Sequence, residues 1–180
     1  MVTDERFTGT VLALDLATVA GWALGKPGST PKFGTMRFGK PGASRASIYR
    51  VFRTWMDGWS GPATTPDLIV YELPMQPLHM RGKTSIDTSK MLIGLAEHLE
   101  EWCFDVVELR EATVGQVRSH FIGQNLKSEF AKPATVERCQ MLGWKVNNTD
   151  EADACALWDY QCGFLRPDLA HKTTPLFRRR

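Results

Sequence analysis

The chain has 180 residues, 43% of them hydrophobic, with 22 basic and 20 acidic side chains and a net charge of +2. That length suits one domain with a core of ordinary size, and the hydrophobic share excludes a disordered chain. No apolar run reaches the roughly 20 residues that span a bilayer, so no membrane partner is expected. The polar, acidic opening "MVTDERFTG" predicts no export signal.

Residues 9–17, "GTVLALDLA", predict a strand that is apolar on both faces, the pattern of a strand in the middle of a sheet. "AGWALG" and "KFGTMRFG" follow at short spacing and read as the second and third strands of an antiparallel meander. In residues 44–59, Ile48, Val51, Phe52, Trp55 and Met56 recur at helical spacing, and Gly58 with "SGPATTP" ends that helix. "DLIVYELP", residues 67–74, is a fourth strand closed by Pro74. Residues 84–103 predict a long amphipathic helix with Met91, Leu92, Leu95, Leu99 and Trp102 on its buried stripe.

"DVVELR", residues 105–110, reads as the fifth strand. Helices are expected at 113–122 and 133–142, with Pro133 at a first helical position and Gly143 as a C-terminal stop. A last helix runs from about 149 to 165, and the basic tail "HKTTPLFRRR" is expected to be mobile. The order β-β-β-α-β-α-β-α-α-α implies an α/β fold. Its mixed sheet would have three antiparallel strands and then two parallel ones, with helices on both faces. Residues 1–168 form one domain in this reading, and 169–180 a basic tail. Cys103, Cys139, Cys155 and Cys162 make no CxxC pair and are expected to be reduced core thiols of a cytoplasmic protein.

Two acids stand where a strand should be apolar. In the first strand Val11, Ala13 and Asp15 share a face, and in the fourth Leu68, Val70 and Glu72 do. Each acid comes near the C-terminal end of its strand, the end at which open α/β sheets bind ligands. An isolated buried carboxylate is costly unless it is paired, metal-bound or protonated. If the two strands are parallel neighbours, Asp15 and Glu72 lie side by side, and two such anions ask for a cation or a shared proton.

The last helix opens on "NNTDEADACALWDY". Asp150 and Asp153 are three apart and project from one helix face. Ala152, Ala154 and Ala156 are small enough to let the helix approach the sheet. Four hard oxygen donors would suit Mg²⁺ or Mn²⁺. The same triplet also reads as a helix start, with Asn148 and Glu151 as a capping box and acids favoured by the helix dipole. Neutralising four carboxylates would leave 16 acidic against 22 basic side chains, a balance of +6 that suits an anionic partner.

"LALDLATVAGWALG", "IVYELP" and "DEADACALWDY", in that order, resemble the RuvC-like Holliday junction resolvases of the ribonuclease H-like nucleases, in particular the small phage and prophage members. The resemblance extends from about residue 9 to residue 165. It implies a ribonuclease H-like fold, four catalytic and metal-binding carboxylates at Asp15, Glu72, Asp150 and Asp153, and two divalent ions per site. It also implies a two-fold homodimer that cuts branched DNA such as four-way junctions, in a bacterial or phage-infected cell, with no organic cofactor. RuvC carries an aromatic residue three positions after the glutamate, a wedge for the junction centre; here that position is Met75. Met can act as such a wedge, or pack on its own domain.

Phosphate neutralisation needs cations around the acids. Arg81 and Lys83 follow the fourth strand, and Arg118, Lys127 and Lys132 precede the last helix. The resemblance favours Lys127 and Lys132. His120 lies among them, as a surface or half-buried histidine or as a base. Two other classes stay open from the residues alone. One is a noncatalytic branched-nucleic-acid-binding module of the same fold. The other is an actin-like ATPase fragment, against which Ala17 stands where a phosphate loop needs glycine.

Overall fold

The computed structural model describes residues 6–74 and 86–171. Its first strand, β1 (Val11–Asp15), has four of its five residues buried. Such a segment is stable only with neighbours on both edges and cover on both faces. It finds them: β2 (Val19–Gly25) runs antiparallel on one side, and β4 (Leu68–Glu72) parallel on the other. β3 (Lys32–Arg37) and β5 (Glu108–Ala112) close a five-stranded sheet of order β3-β2-β1-β4-β5. The expected mixed sheet is therefore present, and β1 lies at its centre.

Period-2 alternation divides the core in two. Leu12, Leu14, Ile69 and Tyr71 pack on one face with Phe52 and Met56 of α1 (Arg45–Asp57) and with Leu95 and Leu99 of α2 (Ile86–Cys103). Val11, Ala13, Leu68 and Val70 pack on the other. Their cover is α3 (Val114–Phe121), α4 (Ser128–Met141) and α5 (Thr149–Leu165). α5 is the innermost helix, because Ala152, Ala154, Cys155, Ala156, Leu157 and Trp158 are all buried. Trp158 Nε1 donates to the Gly25 carbonyl at 3.3 Å, a link across 133 positions. All four cysteines are free and buried.

Two features set the register that matters for the site. Asp67, just before β4, accepts hydrogen bonds from the backbone N–H of Thr10 at 2.6 Å and from its hydroxyl at 2.9 Å. These bonds hold the Asp67 carboxyl below its ordinary range. They also tie the start of β1 to the start of β4, so the rungs run in step to Leu14–Tyr71. The second feature is Gly21, which pairs with Asp15 across β2. A Cβ there would collide with the backbone carbonyl of Asp150 and stand 3.2 Å from the Cβ of Ala154. Glycine is therefore what lets α5 lie against the sheet beside Asp15.

Three sequence expectations are corrected. Pro133 is inside α4, five residues after its start at Ser128, rather than at a first helical position. A proline there removes one early intrahelical bond, to the carbonyl of Glu129, and the turn before it forms all the same. The fifth strand is Glu108–Ala112 rather than 105–110. The chain reverses after α2 through Asp105 at φ 57°, a left-handed conformation that Asp tolerates better than most residues. The third concerns Asn148 and Glu151, taken up with the site below. Gly143 does end α4, at φ 79°, with Trp144 N–H donating to Cys139 O and Gly143 N–H to Gln140 O. Among the described residues no helix is long and apolar enough to cross a membrane.

The Gly21 contact yields a first prediction. Gly21→Ala should lower the unfolding free energy by about 1–3 kcal/mol, as overpacking does, measured by urea denaturation. Unchanged stability would mean that α5 does not bear on β2 at this point.

Candidate active site

One residue beyond the Leu14–Tyr71 rung, Asp15 and Glu72 leave the ends of adjacent parallel strands on the face that α5 covers. Gly21 beside Asp15 admits the first turn of α5, which carries Asp150 and Asp153. The four acids named from sequence thus come from three elements to one end of the sheet.

Electrostatics reports the proximity. Burial, then the negative charges of Asp153 and Asp150, push the Asp15 carboxyl up to about 7, against the opposing pull of Lys132. Burial, then Asp15 and Asp153, push Glu72 up to about 8, opposed by Arg118 and Lys132. Asp153 is also raised, by burial first. Asp15, Glu72 and Asp153 are held from ionising by desolvation first and by neighbouring carboxylates second, the mark of a cluster of like charges.

Glu151 is a different matter. Its carboxylate accepts from Asn147 N–H at 2.7 Å and from Asn147 Nδ2 at 3.1 Å, and its own N–H donates to Asn148 Oδ1 at 2.9 Å. The expected capping box is therefore shifted by one residue: Asn148 caps normally, while the glutamate reaches back to Asn147 instead of the Asn148 backbone. Glu151 is 6% exposed and serves the helix start. The helix-start reading of the acidic triplet thus holds for Glu151.

The cations divide clearly. Lys132 Nζ lies 3.8 Å from Asp153 Oδ2 and remains 46% exposed, a position from which it acts on Asp15, Glu72 and Asp153. Arg118 is fixed by donating to Leu126 O at 2.9 Å and Ser128 Oγ at 3.0 Å, and it draws down Glu72 and Asp153. Lys127 is exposed at the N-cap of α4, with no side-chain capping bond. Met75, Arg81 and Lys83 lie outside the described residues.

His120 is not at the acids. Its Nε2 is 2.9 Å from Asp159 Oδ2, and His171 Nδ1 is 2.6 Å from Asp159 Oδ1. Asp159 is 4% exposed. The three residues pin α3 and residue 171 to α5, so a tie within the fold accounts for this histidine. His171 belongs to the segment read as tail from sequence, and 172–180 lie outside the described residues. Sequence reasoning missed Asp159, Gly21 and the anchoring of Arg118. Gly21 came nearest to a signal, as one of the two glycines in "AGWALG".

Among the described residues no three His, Cys, Asp or Glu side chains stand around one point as a ready-made metal site. As a donor set, carboxylate oxygens with raised pKa fit a hard divalent cation.

No protein-family model and no curated protein matches the chain. Solved structures do. Thermus thermophilus RuvC superposes with a TM-score of 0.58 at 14% identity, over 89% of this chain and 96% of that one. The fold is that of RuvC. The same enzyme in complex with Holliday junction substrate gives a TM-score of 0.63 at 10% identity, over 89% and 95%. The yeast mitochondrial Holliday junction resolvase Ydc2 gives 0.60 at 14% identity, over 91% and 80%. At such identities the likeness establishes the RuvC-type, ribonuclease H-like fold and leaves the chemistry to the residues.

The raised carboxyls make stability pH-dependent. An acid whose folded pKa lies above its unfolded value stabilises the fold below the unfolded pKa, and that contribution is lost as pH rises through the folded pKa. For Asp15 and Glu72 the window runs from about 4 to about 8. In chelator, the melting temperature should fall by several degrees between pH 5 and pH 8, and Asp15→Asn should flatten the fall. A melting temperature level across that range would contradict the cluster.

Proposed function

We propose that this protein is a divalent-metal-dependent endonuclease that cuts branched DNA such as four-way junctions by phosphodiester hydrolysis. The observation that carries the reading is the convergence of Asp15, Glu72, Asp150 and Asp153 on one end of a RuvC-type sheet. The RuvC structure bound to Holliday junction substrate supports the substrate class.

In this reading the four carboxylates hold two Mg²⁺ or Mn²⁺ ions. When bound, such ions supply an activated water and stabilise the leaving oxygen of the phosphodiester. The chain's own residues do the rest. Asp15 and Glu72, rooted in adjacent strands, give the site a rigid floor. Asp150 and Asp153 form its wall, at a distance from the sheet set by the Gly21 contact. Lys132, half-exposed beside Asp153, takes a phosphate oxygen at the mouth, and Arg118, held by the α3–α4 connection, adds positive charge behind it. Cutting two symmetric strands calls for a two-fold dimer. Ile86 and Ile93, exposed along α2 at 74% and 38%, are candidates for its interface.

A second reading, a noncatalytic module that binds branched nucleic acid, draws on the lack of a ready-made metal site among the described residues. One gel assay separates the two. Incubated with labelled four-way DNA and Mg²⁺ or Mn²⁺, the wild type should release nicked products. Asp15→Asn should bind the junction and release none. Lys132→Ala should weaken binding across sequences and lower the salt dependence by about one counterion. Shifted junction without product under every divalent ion favours the module. Wild-type cutting by Asp15→Asn would remove the carboxylate assignment.

A further inference from the structure

Along the exposed side of α4 runs a groove of about 550 Å³ that the reading above leaves unused. Leu126, Phe130, Ala134 and Met141 supply its apolar lining, and Glu129 and Glu137 its acids. The apolar positions recur at helical spacing and form one stripe. The core takes a neighbouring stripe, Ala131, Thr135 and Cys139. Phe130 is 62% exposed and Met141 56%. Large apolar side chains left in water around a hollow mark a surface that another segment covers. Both acids are exposed, whereas Arg138, also in the lining, is 6% exposed. The outer charge of the groove is therefore negative, which suits a segment that is apolar and basic at once. Nucleic acid has the wrong sign for it.

We propose that this groove is the seat of residues 175–180 of the same molecule, with Leu176 and Phe177 on its apolar lining and Arg178 to Arg180 against Glu129 and Glu137. The chain itself carries the matching composition, "PLFRRR", directly beyond the described residues. It also starts from the right place. Asp159 holds His171 on one carboxylate oxygen and His120 on the other, so the chain is fixed to the body up to residue 171. The His171 ring lies 5.5 Å from the Trp144 ring, which stacks on Phe121 at 6.1 Å. The next residue, Ile122, lines the groove. The six residues from His171 to Phe177 reach roughly 20 Å when extended, further than those two ring contacts. A segment on so short a tether meets its site at an effective concentration of about 1 mM. An intrinsic dissociation constant of about 0.1 mM then keeps it seated roughly ten times as often as free. Once seated, the arginines stand on the helix that also carries Lys132 beside Asp153.

The test uses the full-length protein, so that the tether stays intact. Trypsin cuts after Lys172, and mass spectrometry follows the loss of the segment beyond it. Cleavage should be about tenfold slower in wild type than in Phe177→Ser, a substitution outside the folded core. Glu129→Arg with Glu137→Arg should speed cleavage by a similar factor, and adding Arg178→Glu with Arg179→Glu should bring the protection back. A second readout is the ε-methyl resonance of Met141, assigned with Met141→Leu: the ring of a seated Phe177 shifts it, and Phe177→Ser should move it. Equal cleavage of wild type and Phe177→Ser, with an unmoved methyl, overturns the proposal. Protection that survives reversal of both acids overturns the groove as the seat. Protection that grows with protein concentration assigns the groove to the tail of a second copy and overturns the intramolecular seat. The outcome is separate from the nuclease reading, because none of these readouts requires DNA or metal.

Discussion

The backbone of Asp150 rests on Gly21, and much of the molecule follows from that contact. A helix normally stands off a sheet by the length of its side chains. Here glycine below and alanine above remove that spacing, so the first turn of α5 meets the strand that pairs with Asp15. The small residues of α5 therefore set the distance between two pairs of carboxylates. Trp158, two turns further on, ties the middle of the helix to the Gly25 carbonyl at the end of β2.

That packing creates an electrostatic debt. Buried carboxyls that repel one another raise each other's pKa, and Asp15 and Glu72 both reach the neutral range. Natural folds keep such an arrangement where function needs it. Lys132 and Arg118 relieve part of the repulsion, yet Asp15, Glu72 and Asp153 all remain raised. In the proposed function that imbalance is met by divalent cations and then by a phosphate drawn in by the two basic residues.

The strands and both strand acids were legible because period 2 is a strong signal in short buried strands: Val11, Ala13 and Asp15 could share only one face. The last helix was legible from its alanines. What escaped depended on tertiary contact. Nothing in "AGWALG" alone says which glycine meets a helix, and nothing local pairs His120 with Asp159, 39 residues away. Pro133 misled because proline is usually an early helical residue, whereas here the preceding turn forms without the bond it removes. Glu151 reads from sequence as half of a capping box with Asn148, and only the tertiary geometry shows it reaching back to Asn147 instead.

Anomalous scattering from a crystal soaked in Mn²⁺ tests the central claim most directly. The account predicts two manganese peaks between Asp15, Glu72, Asp150 and Asp153, with both peaks lost in a Glu72→Gln crystal. Manganese bound elsewhere, or these four side chains ordered with no metal among them at saturating Mn²⁺, would contradict it.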